Sequence, residues 1–162
     1  MLIGVMSDTH DNLPKIAAAL QLFAGRGVAV ILHAGDYVAP FALKLLLKTG
    51  IPLVGVLGNN DGERAGLKAL CATLYDPPHR LHLGGRLVLL THDPAGLPSQ
   101  PEADLIVHGH THSACIERGE PLVVNPGEAG GWLTGTCTVG VVDLDTMQAE
   151  IADLGPQETT PI

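Results

Sequence analysis

The chain has 162 residues, of which 46% are hydrophobic and 16% charged, and its net charge is −8. That length and composition fit one packed globular domain with a sizeable core and exclude a disordered chain. The acidic balance argues against a general nucleic-acid binder, yet admits a phosphorylated substrate if bound cations reverse the local field.

The elements alternate at first. "LIGVMSD" reads as a buried strand ending at Asp8, and "NLPKIAAALQLFAGRG" as a helix with Asn12 as N-cap and Gly27 past its end. "VAVILHAGD" is a second strand, "APFALKLLLKTG" a helix stopped by Gly50, and "PLVGVLGNND" a third strand before a weaker helix, "ERAGLKALCATL". Strand–helix alternation predicts a parallel sheet with both faces covered.

The second half changes character. "HRLHLGGRLVLLTHD" predicts a hairpin around Gly84-Gly85, and "ADLIVHGHTH", "ACIERGEPLVVNPG" and "TCTVGVVDLDTMQAEIADL" predict further strands without a helix. The expected fold is α/β, two sheets packed face to face and flanked by helices, the first parallel-rich and the second antiparallel. Residues 1–155 form one domain in this reading, and 156–162 a frayed tail. No stretch resembles a signal peptide or a spanning helix. Cys71, Cys115 and Cys137 are too few and too scattered for a disulfide framework, so buried thiols in a cytoplasmic protein are expected.

The polar residues that end the strands carry the chemistry. Asp8 and His10 follow the first strand, Asp36 the second, Asn59, Asn60 and Asp61 the third, His92 a later one, and His110 and His112 another. Ligands in α/β sheets bind beyond the carboxyl ends of strands, so these residues converge on one edge. Carboxylates meeting imidazoles there predict a metal site.

The ordered blocks "DTH", "GD", "GNND", "TH" and "GHTH", with the later "VNPG", resemble the signature of the calcineurin-like metallophosphoesterases, and most closely their small bacterial and archaeal phosphodiesterase branch. The resemblance runs from Met1 to about Leu144. It implies two mixed sheets flanked by helices and a dinuclear centre. One metal would be held by Asp8, His10, Asp36 and His112, and the other by Asp36, Asn59, His92 and His110. A hydroxide bridging two divalent transition metals, Mn foremost and Ni, Co, Fe or Zn otherwise, would then attack a small phosphorylated substrate. A membrane partner is not expected, and a homo-oligomer is, with contacts through the apolar surface of the second sheet. The alternative is a non-catalytic scaffold on the same fold, similar to the small subunit of retromer.

Three positions depart from the family pattern. Asn60 stands where strong monoesterases carry histidine. It can donate a hydrogen bond but deliver no proton, which biases the enzyme to phosphodiesters. Asp61, with no imidazole to orient, reads as a helix cap. Asp93 replaces the usual glycine, and the proline-rich segment after it, 94–101, cannot form the helix that relatives place there, leaving the site open or covered by a partner. Glu128 replaces serine, where it either repels phosphate or points to solvent. His33 reads as a core histidine, His108 as core or as support for a ligand, and His79 and His82 as surface residues. Asn125 reads as a turn former close to the metals, and Trp132 either as an interface anchor or as packing.

Overall fold

The computed structural model describes residues 1–156. Strands β1 (Leu2–Met6), β2 (Val30–His33) and β3 (Leu53–Val56) alternate with helices α1 (Leu13–Arg26), α2 (Pro40–Leu47) and α3 (Arg64–Leu70), and β4 is the short Leu74–Tyr75. There follow β5 (His79–Leu83), β6 (Arg86–Leu90), β7 (Leu105–Val107), β8 (Cys115–Glu117), β9 (Leu122–Asn125), β10 (Thr138–Asp143) and β11 (Gln148–Asp153). One sheet has the order β11-β10-β1-β2-β3-β4, the other β5-β6-β7-β9-β8.

The two mixed sheets agree with the expectation, but the antiparallel second sheet does not. Strands β6, β7 and β9 run parallel, with β5 and β8 as antiparallel edges. The connections 91–104 and 108–121 are long enough to cross back to the starting end of the sheet, and β10 and β11 return to the first sheet instead. The third helix stops at Leu70, earlier than expected. Thr73 then ties the chain to β3, its carbonyl accepting from Gly55 and its hydroxyl donating to Leu53, which creates the unpredicted β4.

Helix α1 forms as its sequence dictates. Asn12 accepts from the Lys15 N–H, Pro14 sits in the first turn, and Gly27 adopts φ 68° past the end. Its buried Ile16, Ala19, Leu20 and Phe23 repeat at helical spacing and pack with Met6, Ile31 and Leu57 on the first sheet. Gly4 permits this close approach, since a Cβ there would lie 2.9 Å from the Phe23 ring. The opposite face of the same strands, Ile3, Val5, Leu32 and Val56, packs on Val88, Leu90, Leu105, Val107 and Val124 of the second sheet. Two cores therefore share one sheet, and β1–β3 are clamped from both sides.

Other details bear on the sequence reading. Among the described residues, the large exposed apolar side chains are Leu13, Phe41, Leu47, Trp132 and Leu133, none of them on the second sheet. Cys115 is exposed, unlike buried Cys71 and Cys137. His79 is half-buried and stacks on Tyr75, ring centroids 3.7 Å apart, while His82 is exposed. Of the expected tail, Pro156 is held with Leu154 and Gly155 by Lys15 Nζ, which donates to all three carbonyls; residues 157–162 lie outside the described residues. No helix among the described residues is long and apolar enough to cross a membrane.

Asp61 is not a helix cap. Helix α3 starts after Glu63 without a side-chain cap, and the Asp61 carboxylate is buried. Its Oδ2 accepts from the N–H groups of Gly58 (2.7 Å) and Asp36 (3.1 Å), and its Oδ1 from Val38 (2.8 Å). One side chain thus staples the loop after β2 to the loop after β3. Asp61→Ala leaves these donors unpaired, each at a cost of about 1–3 kcal/mol where buried. We expect a loss of about 3 kcal/mol, a Tm lower by roughly 6–12 °C for a domain of this size. A loss below about 1 kcal/mol would mean the loops hold without the staple.

Candidate metal centre

Five strands deliver their following loops to one edge, and the loops bind each other before any side chain is considered. Asp8 N–H donates to Gly35 O (3.0 Å), His10 N–H to Asp36 O (3.1 Å), and Gly109 N–H to His92 O (3.0 Å). Gly109 lets the loop after β7 close on the loop after β1, because a Cβ there would meet Ser7 Oγ at 1.9 Å and Asp8 Oδ2 at 2.7 Å. The turns are sharp enough that Asp8, His10, Asp36, His110 and His112 all take φ between 42° and 68°. Left-handed backbone at non-glycine residues costs about 1–3 kcal/mol each and gathers at functional sites.

The seven predicted ligands come together. Asp36 Oδ2 lies 3.7 Å from His10 Nε2 and 3.5 Å from His92 Nε2, so one oxygen stands between two imidazoles. Asp8 Oδ1 is 3.3 Å from His112 Nε2 and 3.8 Å from His10 Nε2. Asn59 Oδ1 sits 2.8 Å from His92 Nε2 and 2.9 Å from His110 Nδ1. Donor atoms of Asp8, His10 and His112 lie within 4.8 Å of one another, as do those of Asp8, Asp36 and His92.

These donors fit cations. Three buried side-chain atoms among the described residues lack a hydrogen-bond partner, and Asp8 Oδ1 and His10 Nε2 are two of them. A buried carboxylate oxygen beside an unpartnered imidazole nitrogen is costly without a positive charge between them. Burial pushes the Asp8 pKa up, the energetic mark of that cost. His92 adds a second sign. Its Nδ1–H donates to Ala34 O (2.8 Å), which leaves the lone pair of the neutral ring on Nε2, facing the Asn59 oxygen. Two acceptors at that distance call for a shared proton or cation.

The third unpartnered atom, His112 Nδ1, faces Glu128 Oε2 at 3.5 Å. Glu128 neither points to solvent nor stands open to a phosphate. It is buried, and its oxygens accept from Leu133 N–H, Thr134 N–H and Thr134 Oγ1. Burial alone would raise its pKa, but these hydrogen bonds and His112 outweigh it and hold the carboxyl below its ordinary value.

The remaining predicted residues divide. Asn60 is exposed, and its amide is turned onto Asp36, Nδ2 donating to Oδ2 (2.7 Å) and the backbone N–H to Oδ1 (2.8 Å). Asn125 is buried and holds the "GHTH" loop, donating to Thr111 Oγ1 (2.8 Å) and accepting from Gly127 N–H (2.9 Å). The hydrogen bond of His108 goes to Gly109 O rather than to a ligand side chain. His33 is a core residue: it accepts from Gly35 N–H, approaches Thr9 Oγ1, and stacks on Tyr37, and burial holds its pKa well below the usual imidazole range. Asp93 caps a short turn at Pro94–Gly96.

Two clefts flank the cluster. One, of about 310 Å³, is bordered by Asn59, Arg64, His92, Asp93, Leu97 and His110. The other, of about 400 Å³, is bordered by His10, Val38, Asn60, Glu128, Trp132 and Leu133. Sequence reasoning missed Arg64 and Val38. Arg64 donates to the carbonyls of Asp61 and Gly58 and brings a guanidinium to the first cleft. Its only signal in the sequence is a basic residue three positions after "GNND" in an acidic chain.

Residues 1–147 match the calcineurin-like phosphoesterase superfamily domain. Phosphodiesterase MJ0936 of Methanocaldococcus jannaschii is 34% identical over 161 residues, covering 90% of this chain and 94% of its own. Phosphodiesterase YfcE of Escherichia coli K12 is 29% identical over 145 residues, 78% of each chain. Among solved structures, an archaeal phosphodiesterase superposes with a TM-score of 0.83 at 32% identity over 94% of this chain and 99% of the other. Vps29 of Chaetomium thermophilum reaches 0.69 at 16% identity over 94% of each, a likeness of fold alone. The family and the Asp/His cluster together point to divalent metal ions. The chain belongs to the calcineurin-like phosphoesterase superfamily and is a hydrolase of phosphoester bonds.

Proposed function

We propose that the protein is a dinuclear metal-dependent phosphodiesterase. The observation that carries this reading is the Asp36 carboxylate, one oxygen of which stands 3.7 Å from His10 Nε2 and 3.5 Å from His92 Nε2. That position suits a carboxylate shared by two ions. Asp8, His10, Asp36 and His112 would hold the first, and Asp36, Asn59, His92 and His110 the second. The nitrogen-rich set suits Mn foremost, and Ni, Co, Fe or Zn, over Mg or Ca. When bound, such ions supply Lewis acidity and lower the pKa of water from about 15.7 towards 7.

The chain's own residues orient that centre. Asn60 and Asp61 fix Asp36 through three hydrogen bonds, two to its carboxylate and one from its N–H, and Asp61 also accepts from Val38 N–H two residues on. Ala34 O fixes the His92 ring, and Glu128 backs His112, as carboxylates behind metal-bound imidazoles do. Arg64, which borders the same cleft as His92 and His110, would offer positive charge to a phosphate bound there.

Two observations favour a diester over a monoester. Clefts lie on both sides of the cluster, room for two ester groups. Asn60, where a histidine would serve as proton donor, can only donate a hydrogen bond. The relatives at 34% and 29% identity are named phosphodiesterases. The scaffold alternative rests on likeness of fold only, and a chain released from catalysis has no need to keep orphaned donors buried around Asp8 and Asp36.

We expect metal-dependent hydrolysis of bis-p-nitrophenyl phosphate well above that of p-nitrophenyl phosphate, and a loss of more than about 100-fold in Asp36→Asn, beyond the 10–100-fold typical of residues that only support ligands. A higher monoester rate, or turnover that survives chelation, would contradict the reading. Asn60→His should raise monoester hydrolysis at least about tenfold, since a general acid is worth about 10²–10⁴; no gain would show that the missing proton donor does not limit this enzyme. Glu128→Gln should weaken ion binding, measured by calorimetry, about tenfold. Unchanged affinity would remove Glu128 from the support of His112.

A further inference from the structure

We propose that the cleft walled by Val38, Trp132 and Leu133 binds a planar aromatic group of the substrate, an aryl ring esterified to the phosphate or the base of an esterified nucleoside, with Trp132 as its stacking surface. This rests on the phosphodiesterase reading above and names the substrate class. Position is the first argument. His10 and Asn60 border the cleft and also reach Asp36, so a phosphate held by ions beside Asp36 would place an ester group at the cleft mouth.

The second argument is how Trp132 is held. It is 58% exposed and Leu133 81%, an unusual exposure for side chains of this size. Yet neither is on a free loop. Trp132 Nε1 donates to the His10 carbonyl (3.0 Å), and buried Glu128 accepts from the N–H groups of Leu133 and Thr134. The indole is therefore fixed by its edge, through the backbone of a residue of the metal cluster, and its position is set before any ligand arrives. Such preorganisation lowers the entropy cost of binding. The third argument is chemistry. No lysine or arginine borders this cleft, and the Glu128 oxygens are taken up by the loop and His112, so its available surface is apolar apart from His10 and the Asn60 amide. A charged arm fits the opposite cleft, where Arg64 stands. An uncharged flat ring fits this one, because base–aromatic stacking is favourable and tolerant of ring identity.

The test compares bis-p-nitrophenyl phosphate with methyl p-nitrophenyl phosphate in the metal-loaded protein, wild type, Trp132→Phe and Trp132→Ala. Both substrates release the same phenolate, so the ratio of their kcat/KM values isolates the second arm. We expect the aryl preference to fall about tenfold in Trp132→Ala, mainly through KM, and to be largely kept in Trp132→Phe. Trp132 is the chain's one tryptophan, so its fluorescence reports the cleft directly. AMP should quench it, and ribose 5-phosphate should not. An unchanged aryl preference with intact metal-dependent turnover overturns the subsite and leaves the phosphodiesterase reading standing, as does equal quenching by both phosphates. Absence of turnover with any metal overturns the phosphodiesterase reading, and this inference falls with it.

Discussion

The architecture depends on burying two carboxylates side by side. Asp8 and Asp36 are 0% and 1% exposed, and the groups that face their oxygens are chiefly imidazoles. A buried ion costs several kcal/mol unless it is paired, and repulsion between neighbouring carboxylates adds to that cost. Positive charge at the cluster relieves both terms. The surrounding structure holds the pair in place: left-handed turns at Asp8 and Asp36, a glycine at 109 that admits the neighbouring loop, and Asp61, which gathers the backbone donors around Asp36. The stability of two cores clamped on β1–β3 sustains the strain at their ends.

Much of this was legible in the sequence because the residues of the Asp/His cluster sit where strands end. Buried apolar runs fix where β1, β2, β3, β6 and β7 stop, and Asp8, Asp36, Asn59, His92 and His110 each follow within three residues of those ends. Helix α1 was legible for the same local reason, with Asn12, Pro14 and Gly27 marking its ends. What failed was non-local. The parallel pairing of β6, β7 and β9 depends on where long connections return the chain, and no residue pattern encodes that. Strand β4 exists because Thr73 bonds across to β3, a contact 20 residues away in sequence. Asp61 and Glu128 were visible as residues, but their roles come from backbone donors delivered by other loops.

Of the three departures from the family pattern, Asn60 and Glu128 meet the cluster in opposite ways. The Asn60 amide braces Asp36, donating to its carboxylate and keeping it in place. Glu128 brings a new carboxylate beside the cluster, but its charge is absorbed by the loop 131–136 and by His112. It thereby links His112 to the loop that carries Trp132. With cations held at the cluster, the net charge of −8 would be no barrier to a phosphate, because the local field would belong to those cations and Arg64.

The central claim is that Asp36 is shared by two ions. Anomalous diffraction from crystals of the Mn-loaded protein tests it most directly. The account predicts two peaks about 3.5–4 Å apart on either side of the Asp36 carboxylate, one near Asp8, His10 and His112 and the other near Asn59, His92 and His110. A single peak, or two that do not share Asp36, would contradict it.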